Sequence, residues 1–370
     1  MIYLDNAATT LIKPVEVQRS MLNAMTTAAS PGRGGHEPAM RAADIVYACR
    51  ARAAEFFYVP EPERVVFTMN ATHALNIAIN SLVQKGTKVL VSGFEHNSVM
   101  RPLVSLGADV KIADAPLFDS AATLEAFRNA IDDVELVICT HVSNVFGFVL
   151  PVYEISAMCR EKAIPFVLDA SQSAGVLEVD FEKLGAAYIA MPGHKALFGP
   201  QGTGILLCGM EGIPLISGGS GSNSKVPLMP AFLPDMHEAG THNVPGIAGL
   251  LAGLEYVAGQ GLEQINHYEH ELLTACVNEL SEIEEIQLFT GSEKTQSGLF
   301  SFYSSRMDCE EIAMKLALEG VCVRAGLHCA PYAHTSAGTL EKGTVRVSFS
   351  PFVTLENAHD FCGILQNLLR

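Results

Sequence analysis

The sequence predicts an α/β fold in which a mostly parallel sheet is covered by helices and accompanied by a smaller α+β domain. The chain has 370 residues, 49% of them hydrophobic and 17% charged, which suits roughly two domains with large cores. Helical patterns alternate with short β-branched runs from about residue 40. Most of these runs are apolar throughout rather than alternating, as strands covered on both faces are.

The predicted elements follow one another along the chain. A long helix over 39–57 leads into a buried strand over 64–68. Further strands are predicted over 87–92, 108–113, 136–140, 165–169, 187–190 and 204–208. After a Ser/Gly-rich loop at 217–224 and helical periodicity over 247–281, shorter strands are predicted at 287–290, 298–303 and 344–350, with helices near 310–320 and at the end. We expect a large domain over 15–255 and a small domain made of 1–14 and 256–370.

The charge balance and the absence of certain patterns exclude several classes of protein. Forty acidic and 24 basic side chains give a formal charge of −16, which repels nucleic acid and anionic lipid. The first residues lack a secretory pattern, and no apolar run reaches the length of about 20 residues that a membrane span needs. We therefore expect a cytoplasmic protein with no nucleic-acid or membrane partner.

The cysteines and glycines show no familiar metal or nucleotide motif. The nine cysteines are scattered and form no C-x-x-C pair, so neither a metal site nor a disulfide framework is predicted. Most have an apolar neighbour and are expected to be small buried side chains in a reducing compartment. Neither G-x-G-x-x-G nor a P-loop occurs, so any phosphate needs another kind of binding site.

Two strand ends carry a possible reactive pair. Asp169 ends one apolar strand, and Lys195 follows the next between glycines and apolar residues. Each has an ordinary alternative, because Asp169 suits the N-cap of a following helix and Lys195 suits an exposed turn. Together they are the pair that pyridoxal phosphate needs, with the lysine forming a Schiff base and the aspartate keeping the pyridine nitrogen protonated.

A third strand end, at 68–76, leads into a predicted helix. Backbone N–H groups and a hydroxyl at a helix N-terminus are suited to binding a phosphate, which makes Thr72 a candidate ligand. The alternative is that Thr72 is only a cap or first-turn residue.

The order of these motifs resembles that of the class V aminotransferase branch of fold-type I pyridoxal phosphate enzymes. The resemblance is to the cysteine desulfurase and selenocysteine lyase family in particular, and it extends over nearly the whole chain. The matching segments are 3–10, 95–98, 141–147, 169–172, 193–195, 238–241 and 323–330.

The resemblance implies a pyridoxal phosphate site with defined contacts to the ring. Lys195 would form the Schiff base, Asp169 would bind the pyridinium nitrogen and Gln172 the ring hydroxyl oxygen. His96 would stack on the ring and is a candidate proton donor.

The same resemblance places residues around the cofactor phosphate. Ala71, Thr72 and His194 would bind it within one subunit, and Thr241 would reach the phosphate of the other subunit, which requires a homodimer. The family often has Ser or Thr immediately before Gly-His-Lys, and here that position is Pro192. One phosphate contact is therefore expected to be missing or replaced.

The substrate side of the site is also implied by the resemblance. Arg346 and Asn144 would hold the substrate carboxylate, with Arg324 as a further substrate-binding residue. Cys329 would be the nucleophile, and Arg324 and His328 are close enough in sequence to lower the pKa of its thiol. The alternative is that Cys329 is one more buried cysteine.

The predicted function is a cysteine desulfurase that converts L-cysteine to L-alanine and holds the sulfur on Cys329 as a persulfide, for a possible sulfur-acceptor protein. A selenocysteine lyase, or another class V aminotransferase or lyase without persulfide chemistry, is the alternative. A non-enzymatic binding module, which would make no use of Lys195, is the third hypothesis.

Overall fold

A computed structural model describes residues 1–32 and 34–369. The strands are β1 (Ile2–Tyr3), β2 (Val65–Thr68), β3 (Lys88–Ser92), β4 (Asp109–Ala113), β5 (Leu136–Thr140), β6 (Phe166–Asp169), β7 (Tyr188–Pro192), β8 (Gly204–Cys208), β9 (Ile286–Phe289), β10 (Leu299–Ser304), β11 (Val321–Cys322), β12 (Arg324–Gly326) and β13 (Thr344–Ser348). The α-helices are α1 (Val15–Thr27), α2 (Glu37–Phe56), α3 (Ala71–Leu82), α4 (Asn97–Leu106), α5 (Ser120–Ala130), α6 (Val152–Glu161), α7 (Phe181–Leu184), α8 (Val244–Gln260), α9 (Leu262–Leu280), α10 (Cys309–Leu318), α11 (Pro331–Ser336) and α12 (Leu355–Leu369).

The main sheet has seven strands in the order β2-β8-β7-β6-β5-β3-β4. Only β8 runs antiparallel to its neighbours, so the prediction of a mostly parallel sheet is confirmed. The carboxyl ends of β2, β3, β5, β6 and β7 therefore share one edge of the sheet. In open α/β sheets this edge is where ligands bind.

Both faces of this sheet are buried, which explains the continuous apolar runs. In β5, Val137 and Cys139 belong to one hydrophobic cluster, and Leu136 and Ile138 belong to the cluster on the opposite face. Side chains alternate between the two faces along a strand, so a strand that is buried on both faces needs apolar residues at every position. The edge strand β4 departs from this pattern, since Asp109 and Lys111 are exposed.

The remaining strands form two smaller sheets. An antiparallel sheet has the order β12-β13-β10-β9, and β1 pairs in parallel with β11. A separate hydrophobic cluster under these strands joins Leu4 to residues between 272 and 369. The predicted smaller α+β unit is thus present, and the first strand of the chain belongs to it.

Two local features differ from or refine the predicted elements. The periodicity over 247–281 is divided into α8 and α9 at Gly261, whose φ of 85° is the left-handed conformation that glycine adopts without strain. The segment 209–243, which contains the predicted loop, forms neither helix nor strand. Among the described helices, none is both long and apolar enough to cross a membrane.

Candidate active site

Asp169 ends β6 at the ligand-binding edge of the sheet, in register with Ala190 of β7. Its side chain is buried, with 2% exposed, and one carboxylate oxygen accepts the Ser171 N–H at 2.9 Å. A turn follows, and the next helix begins only at Phe181. The interpretation of Asp169 as a helix N-cap is therefore wrong, and its second carboxylate oxygen is available for a ligand.

Lys195 follows β7 in a segment fixed by close packing. A Cβ on Gly193 would lie 2.2 Å from Thr203 Oγ1, so only glycine fits there. The main-chain oxygen of His194 accepts hydrogen bonds from Lys13 Nζ at 2.8 Å and Thr10 Oγ1 at 3.2 Å. These contacts hold Lys195 in place at the sheet edge rather than in a free surface turn.

Burial lowers the pKa of Lys195 to about 8, although the nearby Asp169 carboxylate acts in the opposite direction. About a tenth of the amine is therefore unprotonated at pH 7, far more than for an exposed lysine with its usual pKa, which favours the formation of a Schiff base. No ion pair involves Asp169 within residues 1–32 and 34–369, so its buried carboxylate suits a protonated ring nitrogen. The two side chains together fit pyridoxal phosphate.

Gln172 and His96 lie beside this pair. Gln172 Nε2 donates to the Ala7 main-chain oxygen at 3.0 Å, and its second N–H remains available. His96 is the N-cap of α4, where its Nδ1 accepts the Ser98 N–H at 3.0 Å. Burial lowers the pKa of His96, so the ring is neutral at pH 7 and its proton is on Nε2. That nitrogen can donate a hydrogen bond, whereas the predicted role of His96 as a proton donor requires the ring first to take up a second proton.

The predicted phosphate ligands occupy three different places. Helix α3 begins at Ala71 with Asn70 as its N-cap, so Thr72 is a first-turn residue rather than the cap. Thr72 Oγ1 lies 2.8 Å from Ser98 Oγ at the start of α4. Two helix N-termini thus meet at this point, which favours an anion.

His194 and Thr241 differ from Thr72 in their surroundings. His194 Nδ1 lies 3.1 Å from Thr9 Oγ1, and burial lowers its pKa to about 4, so it offers a neutral ring and no charge. Thr241 is exposed and lines a separate pocket with His73 and His237. Pro192 is the last residue of β7.

Arg346 lies on β13 with 2% of its surface exposed. One terminal nitrogen donates to Asp5 Oδ1 at 2.9 Å and the other to the Asn144 main-chain oxygen at 2.9 Å. Its Nε is buried and finds no partner among the described residues. Arg324 donates to the same Asp5 carboxylate, with its closest contact at 2.7 Å. Asp5 therefore joins two predicted substrate-binding residues, and sequence reasoning gave it no role.

Cys329 lies in a short loop of left-handed residues. The φ angles of His328 and Cys329 are 50° and 57°, a backbone conformation that is uncommon for residues other than glycine, asparagine and aspartate. Asn144 Nδ2 donates to the His328 main-chain oxygen at 2.8 Å, and the Asn97 N–H donates to that of Cys329 at 2.8 Å. The predicted carboxylate ligand Asn144 thus holds the cysteine loop.

Cys329 is also the one exposed cysteine among nine. Seven of the others are buried, and Cys322 is half-buried. The alternative interpretation of Cys329 as one more buried cysteine is therefore wrong. Cys329 shares an open cleft of about 600 Å³ with His96 and Thr72, so the structure brings the candidate nucleophile to the proposed cofactor side.

The expected effect of His328 on the thiol is not supported. Burial lowers the pKa of His328 well below the usual histidine range, so its ring is neutral at pH 7. It therefore places no positive charge beside Cys329. Arg324 remains as a nearby cation, but its guanidinium is paired with Asp5.

Glu95 is a second residue that sequence reasoning left without a role. It is fully buried, and burial raises the pKa of its carboxyl to about 8. It accepts a hydrogen bond from Ser92 Oγ and one from the Thr140 N–H at 2.8 Å. Glu95 joins the ends of β3 and β5 and fixes the turn that precedes His96. Its position directly before His96, after an apolar strand, was the signal available in the sequence.

Comparisons with known proteins agree with this geometry. The class V aminotransferase family model matches residues 2–361. A probable cysteine desulfurase of Methanothermobacter thermautotrophicus is 34% identical over 371 residues, covering 96% of this chain and 91% of that protein. A probable cysteine desulfurase of Pyrococcus abyssi is 30% identical, covering 100% of this chain and 94% of that protein.

A solved structure shows the same fold. The apo structure of a cysteine desulfurase from Thermococcus onnurineus has a TM-score of 0.90 and 30% sequence identity, covering 99% of this chain and 94% of that one. The family and the fold-type I architecture predicted from the sequence are thereby confirmed. The chain belongs to the class V aminotransferase family and, within it, is a homologue of the cysteine desulfurases.

Proposed function

We propose that this chain is a pyridoxal phosphate-dependent cysteine desulfurase that converts L-cysteine to L-alanine and carries the sulfur on Cys329 as a persulfide. The observation that carries the proposal is the position of Cys329. It is the one exposed thiol of the chain, and it lies in the cleft that holds His96 and Thr72.

Lys195, Asp169, Gln172 and His96 would hold the cofactor ring. The phosphate would bind at the start of α3, to Ala71 and Thr72. His194 and, from the other subunit, Thr241 would make further contacts with it. When bound, pyridoxal phosphate supplies the electron sink that makes the substrate Cα acidic. The buried Asp169 carboxylate supports this role because it favours a protonated ring nitrogen.

The chain's own groups account for proton and sulfur transfer. Lys195, with its pKa lowered to about 8, is suited to take the proton from the substrate Cα. The Cys329 thiolate attacks the substrate sulfur, and the bond between that sulfur and Cβ breaks. His96, once its ring has taken up the proton that the Cys329 thiol releases, would deliver this proton to Cβ, and Lys195 would return its proton to Cα. L-alanine leaves, and the sulfur stays on Cys329.

We further propose a homodimer. Thr241 is exposed and separated from the Lys195 region, as expected of a residue that serves a second subunit. The irregular segment around it also exposes several large apolar side chains: Ile213, Ile216, Val226, Leu228 and Phe232. Light scattering coupled to size-exclusion chromatography should give twice the mass of one chain.

The domain boundaries at 15–255 and at 1–14 with 256–370 remain a proposal. The separate hydrophobic cluster of Leu4 and residues 272–369 supports it. The nine free cysteines also support a cytoplasmic location, because a reducing compartment keeps thiols free.

Mass analysis tests the proposed reaction directly. After incubation with L-cysteine, the peptide that contains Cys329 should gain the mass of one sulfur atom, and L-alanine should appear in the solution. If L-alanine and sulfide form while that peptide remains unmodified, the chain is a lyase without persulfide chemistry. If neither product forms, the desulfurase proposal fails.

A further inference from the structure

Ser98 connects Thr72, the proposed phosphate ligand, to His96. Its hydroxyl oxygen lies 2.8 Å from Thr72 Oγ1 and 2.9 Å from His96 Nδ1. Thr72 belongs to the first turn of α3 and Ser98 to the first turn of α4, and all three residues line the cleft that contains Cys329. Ser98 has no role in the steps proposed above, yet it contacts both ends of the proposed cofactor site.

A histidine that donates a proton from Nε2 needs an acceptor for the proton on Nδ1. The charged ring carries protons on both nitrogens, and Nδ1 keeps its proton after Nε2 has given one away. In the neutral ring of His96, Nδ1 accepts the Ser98 N–H at 3.0 Å, and this hydrogen bond is lost when Nδ1 is protonated. Among the described residues, the contacts of Nδ1 are with the N–H and the hydroxyl of Ser98, so the hydroxyl oxygen is its acceptor.

The charged groups around His96 do little to favour the protonated ring. Burial lowers the pKa of His96, and the Asp169 carboxylate raises it. Lys195, Arg346 and Arg101 all lower this pKa further. Asp169 is also the proposed partner of the cofactor's ring nitrogen, so its charge is shared with a second cation. A further source of negative charge is needed to stabilise His96 in its protonated form.

The imidazole and the two hydroxyl groups can be aligned as one chain of hydrogen bonds that ends on the phosphate. His96 Nδ1 donates to Ser98 Oγ, the Ser98 hydroxyl donates to Thr72 Oγ1, and the Thr72 hydroxyl donates to a phosphate oxygen. Each hydroxyl then donates one hydrogen bond and accepts one, as its chemistry allows. Hydrogen bonds in such a chain polarise one another, and those that end on a charged group are the strong ones.

We propose that Ser98 is a positioning residue that couples the cofactor phosphate to His96 and thereby stabilises the protonated ring. The inference rests on the proposed function, in which pyridoxal phosphate binds at Thr72 and His96 delivers a proton to Cβ. Bound phosphate then increases the proton affinity of His96. The ring is prepared to act as a proton donor only when the cofactor is in place.

Titration of His96 in the holoenzyme tests this coupling without a measurement of activity. Histidine labelled with nitrogen-15 reports the protonation of each ring in NMR spectra, and the signals of His96 are those that disappear in His96→Gln. In Ser98→Ala the proton affinity of His96 should fall about tenfold, because the acceptor for Nδ1 is lost. Ser98→Thr keeps a hydroxyl at this position and should stay within about twofold of the wild type.

Ser105→Ala is the matched control. Ser105 lies on the same helix and lines the same cleft, but the hydrogen bonds described for His96 and Thr72 do not involve it. Its replacement should leave the proton affinity of His96 unchanged. The visible absorbance of each variant shows whether the cofactor is still bound.

Removal of the cofactor separates the effect of the phosphate from that of Ser98 alone. In the apoenzyme, in a buffer without phosphate, the chain of hydrogen bonds has no anionic end, so Ser98→Ala should lower the proton affinity of His96 by less than about threefold. Equal proton affinities in the wild-type and Ser98→Ala holoenzymes would overturn the role of Ser98. A tenfold loss that persists in the apoenzyme would overturn the coupling to the phosphate.

The outcomes also separate this inference from the proposed function. If the holoenzyme shows the coupling but forms no persulfide, the role of Ser98 is supported while the desulfurase proposal fails. If persulfide forms and Ser98→Ala leaves the titration of His96 unchanged, the desulfurase proposal is supported and the role of Ser98 fails. If the chain takes up no pyridoxal phosphate, both fail.

Discussion

The site joins two regions that are held in different ways. The lysine region, residues 169–172 and 193–199, follows two central strands and is packed by β-sheet neighbours and by residues 9–13. The cysteine loop, residues 327–330, follows the edge strand β12, is held by hydrogen bonds to Asn144 and Asn97, and contains two left-handed residues. The sheet makes the first region rigid, whereas the second depends on a few individual hydrogen bonds. Changes in the two regions should therefore separate cofactor binding from sulfur transfer.

The largest effect is expected for Lys195→Ala, which should abolish both covalent attachment of the cofactor and all activity. Borohydride reduction of the wild type should fix the cofactor on the peptide containing Lys195. Because the pKa of Lys195 is lowered to about 8, attachment to the apoprotein should be half-maximal near that pH and increase above it.

Lys13 is the matched control for this experiment. Burial lowers its pKa to about 8 as well, but its amine is bound to the His194 oxygen. Lys13→Ala should keep the covalently bound cofactor. A borohydride label on Lys13 would contradict the assignment of Lys195.

Cys329→Ser should abolish sulfur transfer and leave the attachment of the cofactor to Lys195 intact. A hydroxyl is a poor nucleophile at neutral pH, so persulfide formation from L-cysteine should fall by at least about 10³-fold. The cofactor should remain covalently bound, as its visible absorbance would show. Cys322→Ser, at a half-buried thiol nearby, should retain sulfur transfer. Full desulfurase activity in Cys329→Ser would return the chain to a general class V lyase or aminotransferase.

Asp169→Asn should lower activity about 100-fold while cofactor stays bound, because an amide does not stabilise a protonated pyridine as a carboxylate does. Glu95→Gln is the control, since the raised pKa of Glu95 already keeps most of this carboxyl neutral at pH 7. Its activity should change much less. Equal losses of activity in Asp169→Asn and Glu95→Gln would mean that activity depends on having a buried carboxyl group at this edge of the sheet and not on the negative charge of Asp169.

The smallest effect is expected for Asn144→Ala, which removes the hydrogen bond to the His328 oxygen. Loss of one neutral hydrogen bond should slow persulfide formation about three- to tenfold and increase hydrogen exchange in 327–330. Thr10→Val removes one of several donors to the His194 oxygen and should change exchange in 193–199 less. Equal changes in the two segments would remove the difference in rigidity on which the comparison rests.

The lysine region was open to prediction from the sequence because its signals are local. Asp169 is the last residue of one apolar strand and Lys195 lies just beyond the next. Because parallel strands bring such ends to one edge, their proximity could be predicted without knowledge of distant contacts. The seven-stranded sheet was predictable for the same reason. The edge position of β4 was not, because strand order is absent from the local pattern.

The substrate end could not be derived in this way. Asp5 and Arg346 are 341 residues apart, and Asn144 and His328 are 184 residues apart. No periodicity links such residues. The neutral state of His328 also depends on burial created by distant segments, so a neighbouring histidine in the sequence was misread as a source of positive charge.

The pairing of the first residues with the last strands has a consequence for biosynthesis. Asp5 leaves the ribosome more than 300 residues before Arg324, Arg346 and the β11 edge. The central sheet can form while the chain is still growing, whereas contacts of such high sequence separation form late. A nascent chain could therefore acquire the lysine edge before the proposed carboxylate-binding end exists, which would delay substrate binding until β13 has been synthesised.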